Sequence, residues 1–209
     1  FEVHGFFMNC NPLNTKLPSA IDWKKDELII KKICKKVGIK LYIDNCEIGY
    51  RENIIKPMIE DYKNGLTPNP DILCNKIGKF PKMLRLAKKI NADYVATGHY
   101  ARVKKIKRGF LLLQGKDKTK DQSYFLCTLN QKILSKTIFP VGNLTKKEVR
   151  KIAKKNNFPN WNKRGSSGIC YLGQIDLKKF LRENIPEKKS ALLSAEGQII
   201  GIHPGVMFF

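Results

Sequence analysis

Between residues 24 and 97 the hydrophobic period switches repeatedly between about 3.6 and about 2 residues, and no other feature constrains the fold as strongly. Ile29, Ile30, Ile33, Cys34 and Val37 form one helical stripe over 24–37, and Gly38 follows as a left-handed stop. Leu41-Tyr42-Ile43 reads as a short buried strand. A second helix is predicted around 50–64, with Ile54, Ile55, Met58, Ile59 and Tyr62 inward and Gly65 as its stop. A third, near 80–90, carries Phe80, Met83, Leu84, Ala87 and Ile90 and leads into the apolar strand Asp93-Tyr94-Val95-Ala96-Thr97, which ends at Gly98. Short strands alternating with helices of this length imply an α/β fold whose parallel sheet is covered on both faces.

After Gly98 the pattern changes. Ala101 to Ile106 and Phe110 to Gln114 are apolar runs separated by Lys107-Arg108-Gly109, the spacing of a hairpin. A helix is expected over 121–136. Thr145-Lys146-Lys147-Glu148 has the composition of a capping box opening a helix with Val149, Ile152 and Ala153 inward, and Pro159 closes that region. From about residue 174 a short helix, Leu177 to Asn184, and a strand-like Gln198 to His203 suggest the start of a separate unit.

Forty Lys+Arg against eighteen Asp+Glu give a formal charge of +22, which favours a polyanionic partner or an anionic surface. Enrichment in Lys, Asn and Ile also follows from an AT-rich genome, so part of that charge is compositional. No run of eighteen apolar residues and no secretory segment is present, so the expectation is a soluble, cytoplasmic protein without a membrane partner, or an organellar one in a eukaryote. Six cysteines, at 10, 34, 46, 74, 127 and 170, show no CxxC pair and no metal-ligand spacing, and no metal site is predicted from them. An even count permits disulfides, but an intracellular setting makes most of them buried small hydrophobes. The chain opens on Phe1 inside a strand-like run and stops at Phe208-Phe209, and is therefore expected to be a fragment.

Four segments could carry chemistry. In Gly65 to Asn75, Pro68 and Pro70 are read as fixing an extended backbone that presents Asn69, Asp71 and Cys74 together; the alternative is a proline-stiffened turn with a buried Cys. Ser166-Ser167-Gly168-Ile169-Cys170-Tyr171-Leu172-Gly173 places a Cys in a strand-like stretch after the basic Lys163-Arg164, where cations favour thiolate, although a Cys in a short apolar strand also serves packing. Thr97-Gly98-His99-Tyr100 ends a strand of the parallel type, where open α/β sheets bind ligands; the alternative is a Gly turn with a surface His. Lys120-Asp121-Gln122-Ser123-Tyr124-Phe125 mixes charge, amide and aromatic groups as an RNA-contacting helix start would.

In this order the motifs TPNPDILCN (67–75), DYVATGHYARV (93–103), KDQSYFL (120–126), FPVGNLTKKEVRKIA (139–153), SSGICYLG (166–173) and GIHPGVM (201–207) resemble the tRNA-specific 2-thiouridylase family. The resemblance implies a Rossmann-like PP-loop ATPase domain of adenine nucleotide alpha hydrolase type over 1–173, and the start of a small central domain over 174–209. It implies a tRNA-uridine 2-sulfurtransferase that uses ATP, with Mg2+ accompanying it, to adenylate the 2-oxygen of the wobble uridine. A persulfide sulfur, supplied by a donor protein, then attacks the activated carbon. By the same resemblance Cys170 holds the persulfide and Cys74 is its partner nucleophile in a transient disulfide, while Asp71 assists proton transfer. Met8 and Gly98 match positions lining the ATP site; Asn69, Pro70 and Asp71 match the target-base contact; His99, Lys120, Asp121 and Gln122 match tRNA contacts.

The chain also departs from the family pattern. The phosphate-cradling SGGxDSS loop is not among the 209 residues, the stretch from Asn9 to Trp23 differs from the family's usual acidic stretch, and the C-terminal barrel is missing. A polypeptide without that loop is expected to adenylate poorly. A relative that binds tRNA without ATP-dependent catalysis is the second reading. An unrelated cysteine hydrolase ranks last, because only His4, His99 and His203 could activate Cys74.

Overall fold

The structure is a computed structural model of the chain and describes residues 1–10, 22–163, 168–169, 172–173 and 175–209. Among these residues the chain divides into two compact units, one of residues 1–9, 22–45 and 71–163, the other of Cys10, residues 46–70 and the described residues from 168 onward.

The first unit opens with a βαβ crossover. Strand β1 (His4–Asn9) pairs in parallel with β2 (Lys40–Asn45), His4 opposite Lys40 and Asn9 opposite Asn45, and helix α1 (Trp23–Val37) connects them. The Asp22 carboxylate caps α1 by accepting from the Lys25 N–H at 3.0 Å, and Gly38 ends it at φ 71°. Gly5 lets α1 approach the strand closely, because a Cβ there would stand 2.9 Å from Cys34 Sγ. Of the predicted stripe, Cys34 is buried and Ile29, Ile30 and Ile33 partly so, but Val37, in the last turn, is exposed. The buried strand expected at 41–43 is likewise half-exposed, since β2 is paired only on its β1 side among the described residues.

The third helix is longer than its apolar stripe implies. Helix α3 begins at Pro70–Leu73, widens into a π-turn over Cys74–Lys79 and continues as Phe80–Lys89. Helix α2 of the second unit repeats the device: Glu47–Tyr50, a π-turn over Arg51–Ile55, then Lys56–Lys63. In both, a proline (Pro57, Pro81) stands two residues past the π-turn. Proline has no N–H for the carbonyl four residues back and its ring crowds that carbonyl; a wider turn relieves the clash without breaking the helix.

Strand β3 (Val95–Ala96) is shorter than the predicted 93–97 and runs parallel to β6 (Thr137–Ile138). Between them lies the predicted hairpin, β4 (Ala101–Ile106) and β5 (Gly109–Gln114), with Ala101 opposite Gln114 and Ile106 opposite Gly109. Phe80, Ala87, Val95, Ala101, Leu126, Leu129, Leu134 and Phe139 form the core of this unit.

The helix expected over 121–136 is absent. A 3-10 turn at Ser123–Leu126 and helix α4 (Gln131–Leu134) replace it. The Asp121 carboxylate draws on the N–H groups of Gly115 and Ser123, and Asn130 caps α4 through the Ile133 N–H, so local side chains outcompete a continuous ladder. Helix α5 (Lys146–Lys155) has the predicted capping box: the Glu148 N–H donates to Thr145 Oγ1 at 3.2 Å, and the Thr145 N–H donates to Glu148 Oε2 at 2.6 Å. Ile152, expected inward, is exposed, because α5 covers the unit with few side chains.

In the second unit α2 buries Ile54, Ile55 and Met58, and α6 (Leu177–Asn184) buries Phe180 and Leu181. Strands β7 (Ser190–Leu193) and β8 (Ile199–His203) form an antiparallel hairpin. Cys10 and Cys46, which follow Asn9 and Asn45 in sequence, are joined by a disulfide with their Cα atoms 4.8 Å apart. Composition did not reveal that pairing; the strand register explains it.

Two glycines predict opposite outcomes. A Cβ on Gly142 would stand 1.8 Å from the Ala101 carbonyl oxygen, so Gly142→Ala is expected to cost about 4 kcal/mol or more in chemical denaturation. Gly49, inside α2 with open space around it, should gain roughly 0.5–1 kcal/mol on replacement by Ala.

Candidate active site

The stretch from Asn69 to Cys74 is not the extended loop expected from its prolines. Pro70 opens α3, where a missing N–H costs nothing, and Asp71 sits in the first turn, where the helix dipole favours a negative charge. Asn-Pro-Asp was therefore a helix-start signal read as a loop. Cys74 lies in the second turn of α3 and is 1% exposed, so it is buried rather than presented, and its sulfur faces Gly78 one turn on.

Asn75, beside it, is 2% exposed. Its Nδ2 donates to the Phe125 carbonyl at 3.1 Å, tying the π-turn to the Ser123–Leu126 turn, while its Oδ1 has no partner among the described residues. The same turn brings Tyr124 near Asp71. Burial pushes the Tyr124 hydroxyl pKa up, and the charges of Asp71 and Asp121 push it further. Tyr124 is 54% exposed, and its ring lies 3.9 Å from that of Phe125. Asp71, Cys74, Asn75 and the 121–125 turn are thus assembled in one unit. Cys170 lies outside the described residues.

Thr97, Gly98 and His99 follow the carboxyl end of β3. Gly98 is exposed and a Cβ there would meet no atom of the described residues within 4 Å, so these leave open space beside its backbone. Met8 is buried near the carboxyl end of β1, opposite Asp44 of β2. Helix α3 serves both ladders: Lys82 Nζ donates to Asp44 Oδ2 at 2.6 Å, while Phe80 and Ala87 pack with Val95 in the core. Carboxyl ends of parallel strands with open backbone beside them fit a nucleotide.

His99 is not the surface group of the bland reading. Its ring stacks on Phe80 at 6.1 Å and 17°, and Phe139 meets it edge-on at 6.2 Å. Burial, then the neighbouring Lys79 charge, pushes its pKa down from 6.5 to about 3. A neutral ring follows. Since an ammonium only donates, Nε2 accepts from Lys79 Nζ at 3.4 Å, and Nδ1 carries the proton donated to Thr97 Oγ1 at 2.7 Å.

Lys120 is exposed, whereas Asp121 and Gln122 are committed within the fold. Gln122 Oε1 accepts from the Tyr100 N–H at 3.0 Å, and the Gln122 N–H donates to the Tyr100 carbonyl at 3.0 Å. Burial raises the Asp121 pKa, but hydrogen bonds from the Gly115 N–H, the Ser123 hydroxyl and nearby N–H groups outweigh it and leave the carboxyl below its ordinary value. Gly115 permits the close approach of this loop, because a Cβ would stand 2.6 Å from the Tyr100 carbonyl oxygen. Among the described residues no group of three or more His, Cys, Asp or Glu side chains could hold a metal ion, and no helix is long and apolar enough to cross a membrane.

Parallel strand pairs and a helical crossover define an α/β domain of the Rossmann-like class. The chain belongs to the tRNA methyl transferase HUP domain family, whose model matches residues 1–174. Over its whole length it is 45% identical to a protein of Buchnera aphidicola named tRNA-specific 2-thiouridylase MnmA, covering 57% of that relative. It is 42% identical to the protein of that name in Nitrosomonas eutropha, covering 58%, and 40% identical to tRNA-specific 2-thiouridylase MnmA 1 of Geobacillus kaustophilus, covering 56%. The chain therefore spans just over half the length of these curated relatives.

His99 makes stability pH-dependent. Its folded pKa lies below the unfolded value of 6.5, so the unfolded chain takes up the proton first and stability is lost as pH falls from 6.5 towards 3. Urea midpoints should decline over that window by at most about 1.4 kcal/mol per pH unit, and His99→Gln should flatten the decline.

Proposed function

We propose that this chain is the catalytic part of a tRNA-uridine 2-sulfurtransferase, which replaces the 2-oxygen of a wobble uridine by sulfur at the expense of ATP. Whole-chain identity of 40–45% to relatives named tRNA-specific 2-thiouridylase carries the reading. The local chemistry agrees with it: Cys74 is held in the second turn of a helix whose first turn contains Asp71. Residues 1–173 act as the PP-loop ATPase domain, and 174–209 begin a central domain.

ATP, with its Mg2+, supplies an adenylyl group that turns the uridine 2-oxygen into a leaving group. Met8 and Gly98 hold the nucleotide at the strand ends; open space beside Gly98 among the described residues supports this. Asn69, Pro70 and Asp71 position the target base, and Asp71 moves the proton. Cys170 carries a persulfide delivered by a donor protein, and the terminal sulfur attacks C2 as AMP departs. The sulfur on C2 is then still bonded to Cys170 Sγ; the Cys74 thiolate attacks Cys170 Sγ, that S–S bond breaks with 2-thiouridine leaving as the thiolate, and the resulting Cys74–Cys170 disulfide is reduced by two equivalents of an external thiol. Lys120 contacts tRNA directly; Asp121 and Gln122 act by holding the Gly115 and Tyr100 backbone, and His99 by holding Lys79. The cytoplasm is the proposed compartment, in keeping with the tRNA substrate implied by the bacterial relatives' names.

The test incubates the purified protein containing these residues with ATP, a persulfide donor and unmodified tRNA, and reads nucleosides by mass spectrometry. Sulfur-for-oxygen exchange at the wobble uridine is expected, with product abolished in Cys74→Ser and Cys170→Ser while tRNA binding is retained. Methyl gain with S-adenosylmethionine, or thiolation surviving either substitution, would overturn the reading.

A further inference from the structure

The segments 116–120 and 146–150 together carry six cationic side chains and two carboxylates. Both carboxylates are already used. Asp117 accepts from the Thr119 N–H and hydroxyl and, through Oδ2, from the Lys146 N–H at 2.9 Å. Glu148 closes the capping box and pairs with Lys116 at 3.4 Å. Lys120, Lys146 and Arg150 are left without an ion-pair partner among the described residues; Arg150 has only the Lys163 carbonyl, at 3.4 Å from Nη2.

These three cations converge. The Asp117 carbonyl accepts from the Lys120 N–H at 3.0 Å while its carboxylate holds the first residue of α5, so the 117–120 turn is docked on that helix end. Lys146 and Arg150, four residues apart, share a face of α5. The Lys146 ammonium stands 5.8 Å from the centre of the Tyr100 ring. Tyr100 is 7% exposed and its hydroxyl has no hydrogen-bond partner among the described residues. Burial raises that hydroxyl's pKa, Asp117 raises it further and Arg150 lowers it, so the orphaned group lies within the field of the same cluster. Burial, then Arg150 and Lys120, pushes the Lys146 pKa down, the mark of like charges held together. Collected cations beside an unsatisfied buried hydroxyl cost stability unless an anion completes the set.

We infer that Lys120, Lys146, Arg150 and the Tyr100 hydroxyl form a site for one phosphate of the bound RNA backbone, with α5 as a second RNA-contacting element. The inference rests on the tRNA reading above and extends it to a helix that lies outside the cysteine chemistry. Bringing a phosphate here would satisfy the hydroxyl and offset the repulsion, and it would fix the RNA beside the strand end that carries Gly98.

Filter binding of an unmodified tRNA transcript across a salt series tests it. Arg150→Gln and Lys146→Gln should each weaken binding and lower the log–log salt slope by about 1, with melting temperature nearly unchanged. Arg150→Lys should retain the wild-type slope. Arg150 is exposed, so Arg150→Gln keeps the readout should Lys146→Gln fold poorly. Tyr100→Phe should weaken binding at unchanged slope without loss of stability, because it removes a buried group that has no partner among the described residues. Wild-type slope and affinity in the Gln variants would overturn the inference while leaving tRNA as substrate. No tRNA binding by the wild type would instead defeat the functional reading. Pyrophosphate binding that needs Lys146 and Arg150, with RNA slopes unaltered, would also overturn it by assigning the site to a free phosphate compound.

Discussion

Phe80 is the contact on which the first unit and its site both depend. It is fully buried in the core, and it begins the last segment of α3, directly after the π-turn that carries Cys74 and Asn75. One face of its ring meets His99, which in turn holds Thr97 and Lys79. Burying such a ring contributes about 1.5–3 kcal/mol. Its larger consequence is geometric: the helix bearing the cysteine and the strand end bearing Gly98 are referenced to one rigid group.

Around that anchor, polar groups do positional work. Asn75 ties the π-turn to the 123–126 turn, Gln122 clamps both backbone groups of Tyr100, and Asp121 and Asp117 organise the loop between the hairpin and α5. Side chains that in sequence resemble RNA ligands are therefore partly the scaffold that aims others. Lys120 and the cationic face of α5 remain outward.

Elements with strong local signals were legible. The hairpin at 101–114, the capping box at Thr145, the stop at Gly38 and the helix 177–184 follow from turn residues, caps and period, and they occur where the sequence puts them. Two misreadings share one cause. Prolines at 68 and 70 suggested an extended loop, and the stretch 121–136 suggested a helix; in each case a short polar residue decides whether a helix starts or fails. Asp121 and Asn130 spend their side chains on nearby N–H groups, whereas Pro70 occupies the one helical position that needs none. Of the two candidate cysteines, Cys74 proved buried in a helix, which periodicity could not show because its π-turn breaks the 3.6-residue register.

By itself the sequence determined the α/β class, the order of most elements and the family, because these follow from local period, capping and ordered motifs. Tertiary structure alone decided which groups meet: His99 between two aromatic rings and held neutral, Asn75 bonded to Phe125 fifty residues away, Cys10 joined to Cys46, and the Tyr100 ring beneath a lysine. Each depends on contacts between distant segments and on the loss of water around them. Neither quantity is encoded in spacing along the chain.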